Sequence, residues 1–141
     1  MKARVLSVPA LGELVLLYRL GEETERGKAV RAVLAELQLP VKTVTEDMLP
    51  QPVGWCAEIP GVPPAAEPAQ EDAFPEEAMV LRGFSRKRMD ELLGALQQRS
   101  LSVSLKAVVT AHNMNWPFQS LLQELTRERE AIRIQLKGKR S

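Results

Sequence analysis

Apolar and polar positions along this chain fall into blocks, and each block has the length of a strand or a helix. Leu14–Tyr18 is an unbroken apolar run, which suits a strand buried on both faces. After Gly21, Thr24 fits a helix N-cap, because its hydroxyl can accept from an otherwise unpaired amide, and Glu25 follows in the first turn, where the helix dipole favours an acid. Val30, Val33, Leu34 and Leu37 recur at helical spacing and predict one buried stripe. Pro40 stops that helix. Val41–Thr45, partly β-branched, is the next strand.

The pattern then returns. Met79–Leu81 predicts a strand, Gly83 its end, and Ser85 the cap of a helix with its stripe at Met89, Leu92, Leu93 and Leu96. Gly94 inside this helix costs about 1 kcal/mol relative to Ala, which is tolerable where a neighbouring backbone packs closely. Leu105–Thr110 is the following strand. Pro117 opens a last helix, where its missing amide hydrogen would be unpaired anyway, with Phe118, Leu121, Leu122 and Leu125 on the buried side.

Alternation of strand and helix predicts an α/β fold: a single small domain of two βαβ units plus a C-terminal helix, with a mainly parallel sheet. Leu14–Tyr18 and the strand holding Val108 are expected near its centre. A ferredoxin-like α+β arrangement is the alternative. The halves look alike, down to a Val41-Lys42 and a Leu105-Lys106 entry to their second strands, but two ordinary βαβ units account for that more simply than an internal duplication.

Composition then divides the chain. Seven of the ten prolines fall between Pro50 and Pro75, in company with Ala, Glu and Gln. Residues 60–77 therefore read as a flexible acidic linker between an N-terminal half, 1–59, and a C-terminal half, 78–134, with 135–141 as a basic tail. Residues 3–8 are an edge strand or an extended tail. Trp55 is expected to pack back on the first half.

Charge is uneven. Residues 1–59 carry 7 basic and 8 acidic groups, 60–78 carry none and 5, and 79–141 carry 12 and 5, so the C-terminal half is the basic one. One cysteine, Cys56, and one histidine, His112, exclude a disulfide scaffold and a His/Cys metal site. Aromatic residues, at 4%, are too few for a base-stacking platform. No window approaches the roughly 18 to 20 apolar residues of a spanning helix, and no targeting segment stands at the N-terminus, so a cytoplasmic protein with no membrane contact is expected.

No catalytic signature is present: there is no phosphate-binding glycine loop, nucleophile elbow or calcium loop, and no cofactor or metal is expected. Arg86, Lys87 and Arg88 in the first turn of a helix oppose its dipole, and an anion at the Ser85 helix start would relieve that. Arg82, Ser85, Arg86, Lys87 and Arg88, together with Thr110, His112, Asn113 and Trp116 at the end of the next strand, form the candidate anion or partner surface. Structural roles suit His112 and Asn113 better, since Asn readily satisfies turn backbone. The expected function is a non-catalytic binding or regulatory domain with a protein partner. The alternative is an anion- or phosphate-binding protein, for a small phosphorylated ligand or RNA, extending to an enzyme on a phosphorylated small molecule.

Met79-Val80-Leu81, Gly83-Phe84, Leu92-Leu93, Lys106-Ala107-Val108-Val109-Thr110, Asn113, Trp116 and Leu121-Leu122 with Glu124-Leu125 resemble a small bacterial domain family of unknown function. The resemblance covers residues 78–130 well and Leu14–Trp55 more loosely. It implies no activity and no catalytic residue.

Overall fold

A computed structural model describes residues 11–66 and 74–140, with side chains to Leu136. The elements are β1 (Leu14–Tyr18), α1 (Glu25–Glu36), β2 (Val41–Val44), α2 (Val53–Cys56), β3 (Ala78–Arg82), α3 (Arg86–Gln98), β4 (Leu105–Val108) and α4 (Phe118–Arg140), with a 3-10 turn at Glu46–Met48. They build one small α/β domain. The predicted tract at residues 3–8 lies outside the described residues.

The four strands form one sheet in the order β2-β1-β3-β4. β1 runs parallel to β2 and β3 parallel to β4, while β1 and β3 meet antiparallel in the middle, Leu16 opposite Val80. The sheet is thus mixed and mostly parallel. Each βαβ unit keeps its two strands side by side, whereas the ferredoxin-like alternative splits each unit around another strand. The strand expected near the centre at Val108 is instead an edge, because β3 takes the central place beside β1; Val108 is 37% exposed.

Both central strands are buried on two sides, which explains their unbroken apolar sequence. Val15, Leu17, Met79 and Leu81 face Val30, Val33 and Leu34 of α1 and Leu92 and Leu96 of α3. Leu14, Leu16, Tyr18, Ala78 and Val80 face the other way, onto Val53 and Cys56 of α2 and Phe118, Leu121 and Leu122 of α4. The result is three layers, helix, sheet, helix. Residues 60–66, expected as linker, run against this second core with Val62 buried, and the Ala65 amide donates to Gln51 Oε1 at 2.7 Å. Residues 67–73 lie outside the described residues. The segment expected as a basic tail continues α4 to Arg140.

The two halves correspond further than two generic βαβ units require. Thr24 caps α1 by accepting from Gly27 N, and Ser85 caps α3 by accepting from Arg88 N. Each helix ends with a residue of positive φ, Gln38 at 59° and Ser100 at 57°. Leu39 N then donates back to Leu34 O at 2.9 Å and Leu101 N to Leu96 O at 2.8 Å, the same helix-closing bond. After β1 and β3 come Arg19 and Gly83, with φ of 60° and 76°. Across the join, Val53 N donates to Trp116 O and Phe118 N to Gln51 O, both at 2.8 Å. Pro52 and Pro117 face each other there in an antiparallel bridge.

Register corrects one apparent correspondence. Val41 pairs with Val15, whereas the residue beside Met79, the counterpart of Val15, is Lys106. Lys106 therefore corresponds to Val41, and the Val41-Lys42 and Leu105-Lys106 likeness is displaced by one residue, onto opposite faces of the sheet.

Candidate functional site

Arg82 leaves the end of β3 and spends its guanidinium on backbone. Nη1 donates to Ala57 O at 2.8 Å, while Nε and Nη2 donate to Gly12 O at 3.1 and 2.9 Å. It latches the chain entering β1 and the end of α2 onto the sheet. Gly83 follows at positive φ, and a Cβ there would collide with the carbonyls of Leu11 and Gly12.

Arg88 is equally committed. It donates to Glu13 through Nε at 2.8 Å and Nη2 at 3.1 Å, to Leu37 O through Nη2 at 2.9 Å, and to Glu91 through Nη1 at 3.1 Å. Hydrogen bonds to Glu13 and then Glu91 push its pKa up, so its charge is fixed. Of the basic residues expected to attract an anion, Arg86 and Lys87 are the ones that stand exposed, and among the described residues no ion pair holds either.

The Thr110–Trp116 loop is a closed hydrogen-bonded turn. Asn113, 7% exposed, accepts from Thr110 N at 2.9 Å and donates from Nδ2 to Val108 O at 3.0 Å, while Thr110 Oγ1 accepts from Asn113 N at 3.1 Å. That is the satisfied-backbone role which suits Asn. His112 is exposed and meets the half-buried Trp116 edge to face, with ring centroids 5.2 Å apart and planes at 71°. Among the described residues, no hydrogen bond or ion pair joins this loop to Arg82, Ser85, Arg86, Lys87 or Arg88.

The polar residues that matter most to the architecture were not among the candidates. Arg26 on α1 donates Nε to Glu77 at 2.8 and 2.9 Å and Nη2 to Ser102 O at 2.7 Å, the counterpart of Arg88 with Glu13 and Leu37 O. Arg129 on α4 holds Glu76 at 2.7 and 2.8 Å and Ser104 Oγ at 2.9 Å. The available signal was positional: Glu13 and Glu77 each stand immediately before a central strand, and Arg26 and Arg88 each lie in the first turn of the following helix.

Groups that could carry out chemistry are scattered. Cys56 is buried, its thiol lies 3.8 Å from Met48 O, and burial pushes its pKa up to about 12, which keeps it protonated and unreactive. No cluster of His, Cys, Asp and Glu among the described residues could hold a metal ion. A recess of about 220 Å³ lies between α3 and β4, and an open groove of about 380 Å³ runs beneath α4 past Leu125, Arg129 and Ile132. Past Arg129, α4 exposes Ile132, at the groove, and then Ile134 and Leu136 to solvent. No helix of the described residues is long and apolar enough to cross a membrane.

Residues 77–132 match the profile of a domain of unknown function, DUF3783. The matched region begins at Glu77 and takes in β3, α3, β4 and the part of α4 that packs on the sheet, which is the second of the two corresponding halves. No curated protein and no solved structure matches the chain.

Proposed function

We propose that the protein is a non-catalytic protein-interaction domain of the bacterial cytoplasm, and that it meets its partner through the outer part of α4. The observation that carries this reading is the exposure of Ile132, Ile134 and Leu136, at 57%, 69% and 53%, on a helix that continues beyond its last core contact. Ile132 and Leu136, four residues apart, share one face of the helix while Ile134 lies on another, and exposed aliphatic side chains favour a contact surface. Residues 131–141 include four basic and no acidic side chains, so the complementary partner surface is acidic as well as apolar. Against catalysis stand the buried Cys56, the isolated His112, and the carboxylates of Glu13, Glu76 and Glu77, all occupied by arginines. A lone buried thiol also suits a reducing compartment.

Photo-crosslinking in living cells, from a probe at Ile134 and a control probe at Glu23, tests the reading. A discrete protein adduct from position 134 alone, reduced when Arg133 and Lys137 are changed to Glu, is the expected result; no adduct from either position would sink it. A second reading, contact with a phosphate-bearing ligand or RNA, draws on the exposed Arg86 and Lys87 beside the Ser85 cap. Saturable NMR shifts at Phe84–Arg88 and Thr110–Trp116 on titration with inorganic phosphate, nucleotides or a short RNA would select it instead.

A further inference from the structure

The halves can be compared with each other, and one internal difference opens a cavity. From the positive-φ residue that ends the helix to the residue paired with the central strand, the first half takes three steps, Gln38 to Val41 beside Val15. The second takes six, Ser100 to Lys106 beside Met79. In the first half Pro40 leads straight into β2, and Val41 packs against the core. In the second, the extra length carries Ser102 out to accept from Arg26 and brings Val103 back in, 1% exposed. The recess of about 220 Å³ lies at this longer connection.

We propose that this recess binds a small aliphatic monocarboxylate. Its walls are Met79, Leu93, Leu96 and Val103, of which Met79, Leu96 and Val103 are at most 1% exposed. Gln97, Ser102 and Lys106 supply its polar lining, and no acidic side chain lines it. Lys106 Nζ donates to Val103 O at 3.1 Å, which leaves two of an ammonium's three hydrogens for a ligand. An apolar cavity with one cationic group selects an aliphatic body with a single anionic head. A cationic head would find only the neutral acceptors of Gln97 and Ser102, and the Lys106 charge would repel it. At about 30 Å³ per non-hydrogen atom the space holds roughly seven such atoms, so a six-carbon acid, with about eight, fills it and sets its carboxylate against the exposed Lys106. Lys106 stands where the first half has Val41, so the charge and the cavity both belong to the second half alone.

The inference does not depend on α4. It is tested on the full-length protein by amide-resolved NMR titration with hexanoate, with hexanol and hexylamine as matched controls. Hexanoate should give saturable shifts at Leu93, Gln97 and Ser102–Lys106, hexanol should bind about tenfold more weakly, and hexylamine should not bind. Lys106→Met, at an exposed position, should reduce hexanoate binding to the level of hexanol, and Leu93→Phe, which fills the recess from its half-buried wall, should abolish both. Equal binding of the three compounds, no saturable shift with hexanoate, or full affinity in Lys106→Met would overturn the proposal.

Discussion

Arg88 and Glu13 form a two-pronged ion pair that ties α3 to the start of β1, with Nε to Oε2 at 2.8 Å and Nη2 to Oε1 at 3.1 Å. Arg26 makes the corresponding contact to Glu77 in the other direction. Each arginine also takes a carbonyl from the far half, Leu37 O or Ser102 O, so its loss strands an acid and a backbone acceptor together. Arg88→Met and Glu13→Gln should each lower the urea midpoint, and the double variant should lose less than the two losses added. The same non-additivity is expected for Arg26 with Glu77. Strict additivity in both cycles would show that the pairs are solvated surface contacts with no part in joining the halves.

One substitution should act in opposite directions at two helical glycines. Gly27 on α1 lies against the Gly21 carbonyl, where a Cβ would overlap the backbone, so Gly27→Ala should destabilise by about 1–3 kcal/mol or more. Gly94 on α3 has open space around its missing Cβ, contrary to the close packing its cost suggested, and Gly94→Ala should stabilise by about 1 kcal/mol. Chemical denaturation of the two variants measures both signs.

Asn113 should prove structural. Asn113→Ala leaves Thr110 N and Val108 O without their partner in a buried turn, for a loss of about 1–3 kcal/mol. Asn113→Asp keeps the acceptor toward Thr110 N and removes the donor toward Val108 O, so its loss should approach that of Ala. If Asp restored wild-type stability, the bond to Val108 O would carry no weight.

Glu76 gives the fold a predictable acid limb. The Arg129 guanidinium holds its carboxyl below the usual carboxylate range, by hydrogen bonding first. A depressed native pKa means the contribution is complete above the unfolded-state value, about pH 4.3, and is lost as pH falls through the native one. Wild type should therefore exceed Glu76→Gln in stability at pH 7, and the gap should close toward pH 2–3. A gap unchanged between those pH values would assign the difference to something other than this titration.

What was legible in the sequence was local. Thr24 and Ser85 announced their helices because an N-cap needs one hydroxyl at one position, and Leu14–Tyr18 and Met79–Leu81 announced buried strands because both their faces are apolar. Strand order was not legible: the antiparallel meeting of Leu16 with Val80 joins segments far apart in the chain, and no local pattern encodes that pairing. The same limit applies to the candidate surface. Arg86, Lys87 and Arg88 look alike in sequence, yet only Arg88 points to Glu13, and Arg82 resembles a free cation until Gly12 and Ala57 take its hydrogens. The recess at Lys106 was not legible either, because Leu105-Lys106 reads like Val41-Lys42 and only the strand register sets the two lysines one residue apart.

The reciprocal contacts at Pro52 and Pro117 also loosen the link between gene order and fold. Val53 meets Trp116 as Phe118 meets Gln51, so the seam between the halves reads the same from either side. A circular permutant in which residues 74–140 precede 11–66, joined by a linker long enough to reach from α4 back to Leu11, would have the same seam to close and the same four strands to lay down. That permutant should therefore reach the same sheet, whichever half is translated first.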